Sequence, residues 1–336
     1  MRPRLFAQSL KTAILNKHKI LVKGAPGVGK SEIIESVCDE INCKVILMHP
    51  VTSDETDFKG LPWKLEDQDA ATFLPFGELK QMIDADRPTV CFIDDVGQAR
   101  PAVQAAAMQL LQARRVNGHK ISDDVSFMAA TNRKTDKAAV AGVIEPVKTR
   151  FHTILELEPD PNDWVLWAHN NGLPADVVAF IQWRPEMLFD FKPTMDLTNS
   201  PCPRSVTNLA QIVDAGYPRE AELELYTGSV GEGFATEFMA FQDVYRHLPN
   251  PKTIILDPEG ADVPDASKPN VSYALCGALA EMASANNFKN ILKYSERLPK
   301  EFSVLLIKNT IRRKGAEIQN MKCFNDWFIE NQDVVL

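Results

Sequence analysis

Gly24-Ala25-Pro26-Gly27-Val28-Gly29-Lys30-Ser31 is the stretch that decides the fold. It spells G-x-x-x-x-G-K-[ST], and its flanks matter as much as the pattern. Ile20-Leu21-Val22 just before it reads as a short buried strand. After it, Ile33, Ile34, Val37 and Ile41 share one face of a helix over Ser31 to Ile41. Strand, glycine turn and helix in that order aim backbone N–H groups and the positive end of a helix dipole at one point, where a phosphate is stabilised. In that frame Lys30 neutralises the outer phosphates of a nucleoside triphosphate, and the Ser31 hydroxyl ligates magnesium.

Upstream, Leu5, Phe6, Leu10, Ile14 and Leu15 recur at helical spacing, which predicts an amphipathic helix ending near Asn16. Downstream, short apolar runs at Val45–Met48, Val90–Ile93, Val125–Ala129 and Thr153–Leu155 alternate with helical stretches such as Ala102–Arg114. With the strand at 20–22 they predict a five-stranded parallel sheet covered on both faces, an α/β core over residues 1–158. Asn117-Gly118 between Arg115-Val116 and His119-Lys120-Ile121 signals a hairpin. From Asp160 the strand pattern stops. Helical stretches at 163–170, 175–182, 205–215 and 234–247 predict an α-helical lid over 159–248. The Pro-, Asp- and Gly-rich residues 248–270 read as an irregular excursion. Helices return to the end, giving a C-terminal helical extension over 249–336.

A triphosphate site needs a second metal contact. Val90-Cys91-Phe92-Ile93-Asp94-Asp95 supplies it as an apolar strand ending in two carboxylates, about 60 residues beyond the glycine turn. Asp94 is placed to hold the magnesium shell, and Asp95 to orient or deprotonate the attacking water. At the end of the following strand, Ala129-Ala130-Thr131-Asn132-Arg133 offers Asn132 for hydrogen bonds to the γ-phosphate and the lytic water.

The chain resembles AAA+ ATPases, and within them the MoxR-like branch related to dynein-type modules. The resemblance spans about residues 1–215 and rests on five ordered motifs: the P-loop, Asp94-Asp95, Thr131-Asn132, Glu145-Pro146-Val147-Lys148-Thr149-Arg150-Phe151, and Pro203-Arg204. It implies that Asn132 is the first sensor, that Arg150 is an arginine finger acting on a neighbouring subunit's γ-phosphate, and that Arg204 is the second sensor. It also implies Mg-dependent ATP hydrolysis in a hexameric ring, with nucleotide between core and lid. The expected role is chaperone-like remodelling or activation of a protein partner, often one with a von Willebrand factor type A domain. One departure stands out: the branch usually reads Asp-Glu-Ile-Asn-Arg-Ala where this chain has Asp94-Asp95-Val96-Gly97-Gln98-Ala99. A carboxylate one methylene shorter acts on water less directly, so a nucleotide-gated scaffold with little turnover is a further reading. Residues 54–63 resemble the loop that these ATPases turn toward the ring centre. Phe58 and Trp63 there are either a grip on a partner or two buried anchors, and the 115–121 hairpin is either a substrate contact or a plain connection.

Composition narrows the alternatives. With 37 Lys and Arg against 45 Asp and Glu, the net charge of −8 argues against a motor or loader built mainly to neutralise nucleic-acid phosphates. Lys308, Arg312, Arg313 and Lys314 could touch nucleic acid but read better as a solvated helix face. No apolar run reaches the roughly 18 to 20 residues of a membrane span. Lys11, Lys17 and Lys19 interrupt any signal-peptide core, so a cytoplasmic protein is expected. The six cysteines show neither Cys-x-x-Cys nor zinc-ligand spacing, and reduced thiols are expected. Gly228-Ser229-Val230-Gly231-Glu232-Gly233 lacks a preceding strand and reads as a helix-entry turn.

Overall fold

The computed structural model describes residues 1–65, 70–136, 142–194, 196–246, 248, 250–265 and 267–331. They form two compact units, Met1–Pro159 and Asp160–Leu336.

The first unit is built on β1 (Ile20–Lys23), β2 (Lys44–Met48), β3 (Thr89–Ile93), β4 (Val125–Thr131) and β5 (Thr153–Glu156). They pair in parallel in the order β2-β3-β4-β1-β5. Every residue of β3 and β4 is buried, so the central strands appear in sequence as unbroken apolar runs rather than alternating ones. The helix Pro3–Leu15 buries Phe6, Leu10, Ala13 and Ile14 and packs on the helix Lys30–Glu40. On the core formed with Ile93 and Phe127, the helix Pro101–Ala113 lays Val103, Ala107, Leu110 and Leu111. Each such Leu or Phe, fully buried, contributes about 1.5–3 kcal/mol.

Two hairpins leave this core. Arg115–Val116 pairs with His119–Lys120 through Asn117 and Gly118, both at positive φ (47° and 90°), as the Asn-Gly dipeptide predicts. Leu61–Lys64 pairs antiparallel with Ala71–Leu74, so the stretch 54–63, expected as a loop, ends in a strand. Before it, Asp54 caps the short helix Glu55–Lys59.

The second unit is helical, and its centre is aromatic. The Phe180 ring meets Phe234, Phe238 and Phe241 edge-on at centroid distances of 5.1, 5.3 and 5.6 Å, a geometry favoured by the ring quadrupole. Ala175–Trp183 packs against Pro269–Met282, which in turn packs against Lys300–Lys314, so helices on both sides of residue 249 lie in this one unit. The stretch 248–270 is less irregular than its composition suggests, because Asn250 caps a helix over Pro251–Leu256. Gly231, at φ 85°, marks the junction of helices Arg219–Val230 and Glu232–Arg246, while Gly228 and Gly233 lie inside them. The basic cluster at 308–314 is not an open face: all four residues are half-buried, and Arg313 donates to Leu173 O at 3.1 Å. The described cysteines are free thiols, and all but Cys323 are buried.

His169, on the helix Pro161–Asn170, is only 5% exposed. Burial first, then the charges of Arg313 and Arg312, hold its imidazole at a pKa of about 3. The folded pKa lies below the ordinary value of roughly 6.5, so between those limits the unfolded chain binds more protons and stability falls as pH drops. The expected loss from this residue is about 2 kcal/mol between pH 7.5 and pH 5. Urea unfolding of wild type and His169→Gln at the two pH values checks this: wild type should lose about 2 kcal/mol more than the variant. Equal losses would contradict it.

Candidate nucleotide site

The sheet register assembles the site. Lys23, the last residue of β1, lies opposite Thr131, the last of β4, so Gly24 and Asn132 leave the sheet side by side. The Gly24 amide donates to Thr131 O at 3.2 Å. Ile93 of β3 lies opposite Ala129, which sets Asp94 and Asp95 level with the same end of β4. Glycine turn, acid pair and Asn132 therefore converge at the carboxyl ends of three neighbouring strands, the edge where open α/β sheets bind ligands.

Local chemistry shapes the turn. A Cβ on Gly24 would stand 2.8 Å from Leu157 O, so only glycine lets the chain leave β1 this close to the segment after β5. Gly29 is left-handed (φ 93°) at the N-cap of Lys30–Glu40, with no side chain capping that helix. The amides of its first turn have no partner within the helix and carry the positive end of its dipole.

Lys30 is 7% exposed, and its ammonium donates to Gly24 O and Ala25 O at 3.0 Å each and to Asn132 Oδ1 at 2.7 Å. Asn132 Nδ2 donates to Asp95 Oδ1 at 3.1 Å. Because lysine only donates and a carboxylate only accepts, these neighbours fix the orientation of the Asn132 amide. Ser31 Oγ donates to Asp94 Oδ2 at 2.9 Å, and Asp94 Oδ1 accepts from the Asp95 amide at 2.9 Å. Asp95 is left-handed (φ 52°), a conformation that Asp tolerates better than most residues, and it opens the turn Val96–Gln98. Among the described residues no group of three or more His, Cys, Asp or Glu could hold a metal. A hydroxyl and a carboxylate in contact nevertheless suit magnesium, a hard cation commonly held by one or two protein oxygens together with substrate phosphates.

Within the first unit, Arg150 stands apart from this cluster. Arg150 precedes β5, and Thr153 lies opposite Ile20, so Arg150 sits at the starting edge of the strands while the P-loop lies at their finishing edge. It donates to Pro146 O and, at 2.6 Å, to Gln112 Oε1. Arg204 occupies the first turn of Pro203–Ala215 in the second unit. The aromatic pair of the 54–63 stretch divides: Phe58 is fully buried in the core and unable to grip a partner, whereas Trp63 is 60% exposed on its hairpin. Sequence reasoning did not find Gln112, which lies in no motif and shows itself only through its contact with Arg150.

Residues 19–153 match the AAA domain (dynein-related subfamily). None of the curated proteins matches the chain. Among solved structures, the RuvB Holliday junction branch migration motor of Thermotoga maritima is 16% identical, with 82% of this chain and 80% of that chain covered and a TM-score of 0.39. NtrX from Brucella abortus in complex with ADP is 13% identical, with 99% and 68% covered and a TM-score of 0.36. The P-loop between β1 and its helix, and the strand order β2-β3-β4-β1-β5, lie within the residues 19–153 that resemble that AAA domain.

Proposed function

We propose that this protein is a magnesium-dependent ATPase of MoxR type, working as a hexameric ring that remodels or activates a protein partner. The observation that supports hydrolysis most is the bonded series Lys30–Asn132–Asp95 beside the Ser31–Asp94 pair. Lys30 would move from the Gly24 and Ala25 carbonyls to the β- and γ-phosphates, supported by the amides of residues 27–31. Asn132 links the γ-phosphate to Asp95, so that water is oriented by Asp95 when the terminal phosphate is in place. Ser31 and Asp94 would hold the metal, whose charge would offset that of the phosphates. Arg204 is assigned the second-sensor role on its sequence context.

The ring is supported by the placement of Arg150. Four strand residues at about 3.3 Å each put roughly 13 Å of sheet between its edge and the P-loop edge, too far to serve its own nucleotide. It is suited to act in trans, as an arginine finger. For the partner, Trp63, Leu61 and Leu74 are exposed to 60%, 47% and 44% on one hairpin. That hairpin region is tied to the second one by Asn117 Nδ2 to Lys59 O at 2.7 Å and a His119 Nε2 contact to Phe73 O at 2.8 Å. Clustered exposed apolar side chains favour a protein client, for which a von Willebrand factor type A protein is the family expectation. Net charge of −8 and the half-buried 308–314 cluster weigh against nucleic acid.

Lys30→Ala should weaken ATP binding by on the order of 100-fold or abolish turnover, read by fluorescent-nucleotide titration and phosphate release. Unchanged values would overturn the assignment. Arg150→Ala should keep nucleotide affinity while hydrolysis falls about 1000-fold. Mixed with wild type it should depress activity more steeply than its share of subunits, and strictly proportional activity would rule out a finger in trans. ATPase stimulated by DNA or RNA, through binding that falls steeply with salt, would favour a motor on nucleic acid instead. Phosphate release at background, with activity created by Asp95→Glu, would favour a scaffold.

A further inference from the structure

The edge of the sheet opposite the P-loop carries a cavity of about 550 Å³ lined by Lys19, Gln112, Thr149, Arg150, Phe151 and His152. None of these is acidic. Among the described residues no carboxylate pairs with Arg150, and the nearby Glu145 is engaged by Lys148 at 2.6 Å. The guanidinium is instead held by neutral acceptors: Nη1 by Pro146 O and Nη2 by Gln112 Oε1 at 2.6 Å, while Nε is buried without a partner. A cation ordered by neutral groups keeps its full charge for an anion, whereas an ion pair would have to break first.

The surroundings reinforce that charge. Lys19 lies close enough that burial, Arg114 and Arg150 together hold its ammonium below the usual lysine range. Its Nζ donates to Leu111 O at 2.7 Å, which fixes the last turn of Pro101–Ala113, the turn that carries Gln112. Lys19 thus anchors the helix end, and Gln112 on it orients the arginine.

We infer that Gln112 is a positioning residue that presents the Arg150 guanidinium to the terminal phosphate of a nucleotide held by a second copy of this chain. This rests on the reading that Arg150 acts in trans. Gln112 itself touches no phosphate: its carbonyl sets the direction of the guanidinium and leaves the charge unspent. A carboxylate there would bind the guanidinium more tightly and compete with the phosphate.

Steady-state ATP hydrolysis by full-length Gln112→Ala, Gln112→Glu, Arg150→Ala and the Gln112→Ala/Arg150→Ala double variant tests this, with melting temperatures confirming the fold. Gln112→Ala should lower kcat about 10-fold at unchanged KM and nucleotide affinity, the loss of one charge-assisted hydrogen bond. Gln112→Glu should lower kcat at least as much. In the Arg150→Ala background Gln112→Ala should have no further effect, because a residue acting through the finger has nothing left to orient. If Arg150→Ala cuts turnover but Gln112→Ala does not, or if Gln112→Ala acts equally in both backgrounds, the positioning role is overturned while the trans finger stands. If Arg150→Ala leaves turnover intact, the finger reading falls and this inference with it. Should Gln112→Ala fold poorly, Gln112→Asn, which keeps the amide but shortens its reach, must show the same kcat loss confined to the Arg150 background.

Discussion

One buried ammonium governs the first unit. Lys30 is 7% exposed and bonded to the Gly24 and Ala25 carbonyls and to Asn132. Burying a lysine without an anion or strong acceptors costs several kcal/mol, so a chain that places one here must surround it with oxygen. The turn does so by exposing carbonyls, β4 by ending in Asn132, and β3 by ending in two acids of which Asp95 holds Asn132 in turn. The register of the sheet, with Lys23 opposite Thr131 and Ile93 opposite Ala129, is what lets these groups meet.

A parallel sheet has two unlike edges, and this chain uses both. Its finishing edge carries Lys30, Ser31, Asp94, Asp95 and Asn132; its starting edge carries Lys19 and Arg150 with Gln112. One edge gathers the buried ammonium and the glycine turn, and at the other, among the described residues, no carboxylate pairs with Lys19 or Arg150. Joining the second edge of one copy to the first edge of the next makes a heterologous contact, the kind that closes into a ring.

Much of the core was legible in sequence because its physics is local. The strands of the sheet are apolar runs, and the glycine turn sits between one of them and a helix. The hairpin at 115–120 follows from Asn117-Gly118, whose left-handed backbone few other dipeptides accept. What escaped depends on contacts distant in sequence. The 61–64 and 71–74 strands are short and expose Leu61, Trp63 and Leu74, so they lack the buried-run signal. Phe58 and Trp63 look alike in sequence, yet packing sends one into the core and the other to solvent. The Gln112–Arg150 bond joins residues 38 apart, and nothing local announces it. The basic run 308–314 suggested a solvated face, but Leu173 draws Arg313 inward.

On the proposed function, residues 24–31 enclose a triphosphate whose metal would be shared by Ser31 and Asp94. Titration calorimetry of the full-length protein with ATP, in magnesium and then with the metal chelated, tests it most directly. The account predicts saturable heat at one site per chain that weakens markedly without magnesium. Absence of heat in both conditions, or binding indifferent to the metal, would contradict it.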